Sequence, residues 1–458
     1  MKKIARYIAC AAVAACAMAA TAQNTNSAYF LDNYTYRYQL NPAMGNDKGF
    51  VAMPGLGNLN VAMRGNLHLR DVIYNVDGRS CLFTNPGVGV AEAMDGFSSK
   101  NRLGVNLREN IISVGFKGFK GYNTITLGAR ADVNVIVPRA LFSLAKEGAT
   151  NDTYDIHNLG ANATGYAELA LNHSHDIKAV PGLRVGASMK FLLPFAGVDA
   201  RFNKAELTLG TDSWTAVTNA DVRVNLPDFQ FETDLNKQDR EYVSGLNFDG
   251  DSGVKPQGFG MAFDLGATYK WRDFTFSAAL LDLGWMGYTG TRLASTQGDR
   301  TVNTDAFTFD SDGDAPNSFS NEWDRLVDNI EDLYQLSDLG DAHSRTAAMA
   351  ATLNLGADYE LPAYRKLHFG LLSSTRLAGR YTWTEMRLSA NVHPVKCFSA
   401  GVNLAAGTFG TSFGWIANVH ITGFNFFLGM DHVPGKLAKQ GAPLSSNASF
   451  NLGMNFPF

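Results

Sequence analysis

The chain has 458 residues, among them 45 Gly, 30 Phe and 16 Tyr, and its 39 Lys and Arg against 43 Asp and Glu give a formal net charge of −4. That balance excludes nucleic acid as a partner, which would need a basic patch. Four cysteines in this length exclude a disulfide scaffold, and beyond the first residues no stretch reaches the ~20 apolar residues of a membrane helix.

The chain opens on Lys2, Lys3 and Arg6, then an apolar run from Ile8 to Ala20, then Ala20-Thr21-Ala22. A positive start, an apolar centre and small residues before a cut predict a signal peptide over 1–22, cleaved after Ala22. The alternative is Cys16 as a lipidated N-terminus. Residues 23–58 follow as an extended segment. Within "YFLDNYTYRYQLNPAMGN", Tyr34, Tyr36, Tyr38 and Leu40 alternate with Thr35, Arg37 and Gln39, until Asn41-Pro42-Ala43 breaks the strand.

From residue 59 to 458 the dominant period is two, the signal of β-strands. In "NTITLGARADVNV", Ile125, Leu127, Ala129, Ala131, Val133 and Val135 oppose Thr124, Thr126, Gly128, Arg130, Asp132 and Asn134. "GFGMAFDLGATYK" repeats the pattern, with Phe259, Met261, Phe263, Leu265, Ala267 and Tyr269 on one face. Successive side chains on a strand point to opposite sides, so each segment has one greasy face and one small or polar face. The spacing predicts about fourteen strands: 59–69, 110–118, 122–135, 164–176, 182–193, 258–270, 273–284, 346–359, 366–376, 384–393, 397–406, 412–421, 424–431 and 447–458. Short connections near Lys120, Val180-Pro181, Arg272, Pro362, Pro394 and Gly423 alternate with longer ones at 70–109, 136–163, 194–257, 285–345, 377–383, 407–411 and 432–446.

That alternation, on an even number of strands, predicts an all-β transmembrane antiparallel β-barrel of the bacterial outer membrane, with short periplasmic turns, longer external loops and both termini periplasmic. The sheet must close, because lipid cannot satisfy an open edge. Two short helices are expected in the external loops: "PRALFSLAKEG", with Pro138 in its first turn and Gly148 as its stop, and "NEWDRLVDNIEDLYQL", with Trp323, Leu326, Val327, Ile330, Leu333 and Tyr334 on one stripe. The segment 194–257 reads as a hairpin insertion and 285–345 as a helical loop. The chain ends on "NASFNLGMNFPF", whose Phe450, Leu452, Met454, Phe456 and Phe458 are expected to face lipid, with Phe456 and Phe458 at the inner aromatic girdle.

On the opposite face of the strands, alternation assigns to the lumen Arg130, Asp132, Glu168, Arg184, Lys190, Arg376, Glu385 and Arg387. Their mixed sign predicts mutual pairing rather than a strongly ion-selective pore. His173 and His175 share a face but lack a third ligand at a recognisable spacing, and Asp310, Asp312 and Asp314 lack the rest of a calcium loop. No nucleophile elbow, Walker loop or dinucleotide fingerprint is present, so catalytic residues, metal ligands and cofactors are all read as none. Cys81 and Cys397 fall at opposite ends of the expected barrel and should not pair. Asp at Leu127 or Phe263 should impair insertion far more than Asp at Gly128 or Gly266.

The stretch "YTYRYQLNPA", the "VPRALFSLAKEG" helix and "ATGYAELAL" together resemble an uncharacterised Bacteroidota outer-membrane family, a domain of unknown function, over most of the chain after residue 22. Asn-Pro-Ala near the start is also similar to PorV and other FadL-like barrels and to PorP/SprF-like proteins of type IX secretion. The terminal aromatic resembles the sorting signal read by the barrel-assembly machinery. The FadL-like resemblance implies an N-terminal hatch inside the barrel, with Asn41, Pro42 and Ala43 near it, and a channel or binder for small hydrophobic solutes. The PorP/SprF-like resemblance implies instead a structural component that meets secretion-machinery proteins. A barrel hydrolase is the third reading. Lipid of the outer membrane is a partner under all three.

Overall fold

The computed structural model describes residues 25–148, 153–209, 214–236, 239–248, 255–303, 335–435 and 445–458. The signal segment, the Trp323–Tyr334 stripe and the Asp310–Asp314 loop lie outside them.

Fourteen strands form the wall: β1 (Leu59–Gly65), β2 (Lys100–Gly118), β3 (Gly121–Pro138), β4 (Gly160–Asp176), β5 (Leu183–Leu209), β6 (Gly258–Trp271), β7 (Phe274–Thr289), β8 (Ala351–Glu360), β9 (Leu367–Leu377), β10 (Trp383–Val395), β11 (Phe398–Gly407), β12 (Gly410–Ile421), β13 (Phe424–Met430) and β14 (Ala448–Pro457). Each pairs antiparallel with the next. β14 then returns to β1, with Leu59 opposite Leu452 and Met63 opposite Ala448, and the barrel is closed.

The wall starts earlier than residue 59. Phe50–Ala52 already pairs with both β2 and β14, so it is the lower half of the first strand, interrupted over 53–58. The far end of β1 stops at Gly65, and Leu69–Val72 is a helical turn rather than strand.

Alternation sets the two faces. Outward lie Ile125, Leu127, Leu169, Phe263, Leu283, Leu388 and Leu404, the last 63% exposed. Phe450, Phe456 and Phe458 share that face, and Leu452 and Met454 lie between them, half-buried. Inward lie Thr124, Thr126, Ser188, Asn354, Asn391, Asn418 and Asn451, all buried. Exposed apolar surface on this scale far exceeds what a protein in water carries, so the belt belongs in hydrocarbon. No helix among the described residues is long and apolar enough to cross a membrane, and the strands are the crossing elements.

The two rims differ. At one, the turns are tight. Between β2 and β3 only Phe119 and Lys120 intervene, both at positive φ, as a two-residue hairpin turn requires. At the other rim the strands overrun the bilayer. β5 has 27 residues, where about 9–11 cross a membrane, and its excess pairs with Trp214–Asn225 above the wall. A second hairpin, Phe229–Leu235 with Glu241–Phe248, follows. Helices Val90–Asp95 and Arg139–Glu147 close a small apolar cluster of Phe83, Met94, Phe97 and Phe142 over the same rim, with Phe97 stacked on Phe142 at 3.9 Å. Pro138 precedes the latter helix as its N-cap rather than opening its first turn, and Gly148 ends it at positive φ. The connection expected at 407–411 is tighter than the pattern demands, because Gly407 pairs with Gly410 directly. Cys81 sits in a hairpin at the long-loop rim and Cys397 in a turn at the short-turn rim, both free thiols.

Both glycines chosen for comparison with Leu127 and Phe263, Gly128 and Gly266, are close-approach positions. A side chain on Gly266 would collide with Asn41 and Pro42, and one on Gly128 would meet the backbone oxygen of Glu109. Thr164, which faces open space in the lumen, is the better comparison. Leu127→Lys is expected to cost about 2–4 kcal/mol of folding free energy, and Thr164→Lys less than about 1. Denaturant-dependent refolding into lipid vesicles, read as heat-modifiable mobility, measures both.

Candidate functional site

The lumen is occupied by the chain's own residues 25–44. Two 3-10 turns, Asn26–Ala28 and Thr35–Gln39, carry the segment through the barrel. The Tyr34–Leu40 stretch is therefore not a strand. Inside a closed wall it finds no sheet edge to join, and its alternation does not divide wet from dry, since Thr35, Tyr36, Tyr38, Gln39 and Leu40 are all buried. Its rings pack against wall residues: Tyr34 edge-on to Phe427 at 4.9 Å and Tyr36 edge-on to Phe50 at 5.8 Å.

Wall side chains satisfy the backbone of this plug. Asp431 accepts the amides of Asn26 (2.9 Å) and Ser27 (2.7 Å), Asn354 donates to the Leu40 carbonyl at 3.0 Å, and Asn172 to the Pro42 carbonyl at 3.3 Å. Asn41 is fully buried. Its amide donates to the carbonyls of Ala267 and Ala278, each 3.2 Å, and its Oδ1 accepts the Ala43 N–H at 3.0 Å. Arg184 Nε donates to the Ala43 carbonyl at 2.8 Å. Gly186 and Gly266 are the wall positions that let Asn41-Pro42-Ala43 approach so closely. Thr25, the first described residue, lies within the lumen beside Asn60, whereas Phe458 sits at the short-turn rim.

Beside and above the plug lies a layer of buried charge. Arg130 bridges Glu168 (2.8 Å) and Asp282 (2.9 Å), Lys190 bridges Asp264 and Asp282 (2.6 Å each), and Arg108 reaches Glu168 at 3.4 Å. Three cations thus meet three carboxylates, and the layer is neutral. A second group joins Arg387 to Glu385 at 2.6 Å, to the Asp431 carbonyl at 3.0 Å and to Ser27 Oγ at 3.3 Å, so it ties the wall to the start of the plug.

Above this layer opens a vestibule of about 710 Å³ toward the long-loop rim. Five arginines line it, Arg201, Arg223, Arg345, Arg376 and Arg380, against Asp132, Asp199 and Asp282. Asp282 is spent on Arg130 and Lys190, Asp132 pairs with Arg376 at 3.3 Å, and Asp199 is shared by Arg201 (2.6 Å) and Arg345 (3.6 Å). Arg380 Nη1 is buried without a hydrogen-bond partner among the described residues. Burial pushes the Tyr381 phenol up to about 12, so it stays protonated as a donor. One wall is apolar: Tyr166, Met286 and Tyr288 pack together with Met349 against them.

The eight charged residues assigned to the lumen from alternation all point inward, but at different levels. Glu168, Lys190 and Arg130 join the charged layer, Asp132 and Arg376 form the vestibule floor, Glu385 and Arg387 hold the plug's start, and Arg184 grips Ala43. Alternation missed Asp282. Counting from Ser277 and Ala279 places it outward, yet a bulge opposite Asp264 shifts the phase and turns it in. Its φ of 59° and the Asp264 carboxylate accepting its N–H at 2.7 Å hold the bulge. His173 and His175 contact each other at 3.1 Å, and Asn123 occupies the other ring nitrogen of His173.

Removing Asp282 would strand Lys190 and Arg130 in a layer with too few carboxylates. Asp282→Ala is expected to destabilise the barrel by about 3–5 kcal/mol, whereas Asp299→Ala, at an exposed position, should leave stability close to that of the wild type. Guanidinium unfolding followed by tryptophan fluorescence compares them.

No curated protein matches the chain in sequence. Solved structures with a similar fold include a deletion mutant of TodX described as a monoaromatic hydrocarbon channel, at 8% identity over 96% of each chain with a TM-score of 0.41. A Pseudomonas aeruginosa FadL homologue is 11% identical over 96% of this chain and 98% of its own, at 0.40. The translocator domain of the autotransporter NalP from Neisseria meningitidis is 10% identical over 90% of each chain, at 0.31. At these identities and scores nothing of what those proteins carry passes to this one. Residues 42–431 match a family of unknown function, DUF5723, and the chain belongs to that family.

Proposed function

We propose that the protein is an outer-membrane barrel of FadL-like type that binds small amphipathic solutes in its vestibule and admits them when the plug shifts. The supporting observation is the vestibule itself. An anionic or strongly polar end fits the arginine-rich side, where Arg380 holds an unspent donor, and an apolar body fits against Tyr166, Met286, Tyr288 and Met349. A cavity of this size suits a ligand of small-molecule dimensions. The short-turn rim is taken as periplasmic and the long-loop rim as external, because bacterial barrels place their short turns inside. The solute then arrives from outside, and the plug stands between it and the periplasm. No catalytic step is assigned to the site.

Binding of laurate to the protein in nanodiscs, followed by calorimetry and compared with dodecanol, tests this reading. Laurate is expected to bind more tightly, and Arg380→Ala with Arg345→Ala to erase about tenfold of its affinity. Equal affinity of the two ligands, or none, would leave a structural barrel as the better account. A companion measurement concerns the plug: the intact protein is expected to show little conductance in planar bilayers, and deletion of residues 25–44 to open a steady pore.

A further inference from the structure

At the short-turn rim, four strands each turn one titratable side chain inward: Asp358 of β8, His368 of β9, His393 of β10 and His420 of β12. Between the last two, Ser399 of β11 donates to the Asp32 carbonyl at 3.0 Å, and Asn418 of β12 to the Asn33 carbonyl at 3.1 Å. These bonds, with Asn33 at positive φ, deliver the Asp32 side chain of the plug into the histidines. Asp32 Oδ2 lies 3.0 Å from His393 Nδ1 and 3.4 Å from His368 Nε2. One donor atom from each of the three residues falls within 4.8 Å of the others.

We propose that Asp32, His368 and His393 form a divalent transition-metal site of zinc type, which fastens the plug to the barrel wall. Four features carry this. Ligands about 2.0–2.1 Å from a tetrahedral ion lie about 3.3–3.4 Å apart, close to the spacings that Asp32 makes with the two rings. His368 Nδ1 meets Asp358 Oδ2 at 3.0 Å, and such a carboxylate on the far nitrogen fixes the tautomer that leaves Nε2 free to ligate. That Nε2 is buried and makes no hydrogen bond among the described residues, and the same holds for His420 Nε2 at the same rim. Charge points the same way: the nearest fixed cation to Asp32 is Arg37, at 3.9 Å on the other carboxylate oxygen. A divalent ion would balance Asp32 and Asp358 together, with both imidazoles neutral. The side chains of Asp32 and His393 remain about one-third exposed, so an ion can enter from water. Water fills the fourth position.

The site differs in kind from the vestibule and needs no solute. Its ligands come from the plug and from two neighbouring strands, so occupancy adds a link that only the plugged state can make. Metal binding to that state alone stabilises it in proportion to affinity and free ion.

The test uses the full chain in nanodiscs, stripped with chelator and titrated with Zn²⁺ against a chromophoric competitor. One equivalent is expected to bind at micromolar concentration or below. Asp32→Asn and His393→Gln should each weaken it at least tenfold, Asp358→Asn about tenfold, and His173→Gln not at all. X-ray absorption of the zinc-loaded wild type should show two imidazole nitrogens and carboxylate or water oxygen, a readout that does not depend on any variant folding. Zinc should also slow hydrogen exchange in residues 25–44. Failure of the wild type to take up zinc, undiminished affinity in the folded Asp32→Asn and His393→Gln variants, or loss of binding on His173→Gln would overturn the assignment.

Discussion

The structure depends on one constraint: in hydrocarbon no water completes an unpaired backbone N–H or C=O. β1 must therefore meet β14, and closure creates a lumen. Fourteen strands enclose a space wider than wall side chains fill by themselves, since about eight strands already suffice for a filled interior. The N-terminal segment occupies it and meets the same constraint again. It has backbone groups of its own and no edge to pair with. The solution is local 3-10 bonding where the segment turns, and wall side chains elsewhere. Asn172, Asn354, Asn418 and Ser399 each donate one hydrogen bond to a main-chain carbonyl of the plug, and Asp431 accepts two of its amides. The many buried inward asparagines thus follow from having a peptide, rather than water, as the content of the barrel.

The same logic orders the lumen by height. Where the plug is present, polar wall groups are spent on it and its tyrosines pack against the few apolar positions between them. Beyond Asn26 and Arg387, among the described residues, the inward charges satisfy one another instead. A buried ion layer is tolerated only if it is neutral and fully paired, and the balance of Arg108, Arg130 and Lys190 against Glu168, Asp264 and Asp282 meets that demand. Above it the balance tips toward arginine, and there the interior opens. Among the described residues, the change from neutral to basic therefore coincides with the opening of the vestibule.

Strand identity was legible because a barrel repeats one pattern with two boundary conditions, lipid outside and polar matter inside. All fourteen strands follow from counting by twos, whereas the inward Arg108 falls in the stretch 70–109 read as a loop, because β2 begins ten residues earlier than the count placed it. The count fails wherever the backbone slips phase. Nothing in "SAALLDLGW" announces the bulge that turns Asp282 inward, because it is set by Asp264 on the neighbouring strand. The plug was legible only through resemblance, since Tyr34–Leu40 alternates like a strand while folding as a 3-10 turn. The rim cluster was not legible at all. Asp32, His368, His393 and His420 are brought together by closure and register, and spacing along the chain carries no trace of it. Likewise Gly266 looks like any lumen glycine until Asn41 is seen against it.

The plug is fastened at two heights by unlike chemistry, and the difference bears on how it could be released. At its upper end, Asp431 caps two amides, and Ser27 Oγ is held by Arg387, all buried beneath the vestibule. At its lower end Asp32 sits among histidines at a wet rim. Wall strands share dense ladders of main-chain bonds, whereas the plug is held to the wall by side chains. It is therefore the element able to open at the lower free energy without loss of the barrel. A ligand bound near Arg380 or Arg376 changes the field felt at Asn26, because the two regions share the layer containing Asp132 and Asp282. Conditions at the opposite rim act on Asp32 and on the Arg184 that holds Ala43. The bonds at Leu40, Asn41, Pro42 and Ala43 add to these two, so release of the plug requires several contacts at different levels to open together.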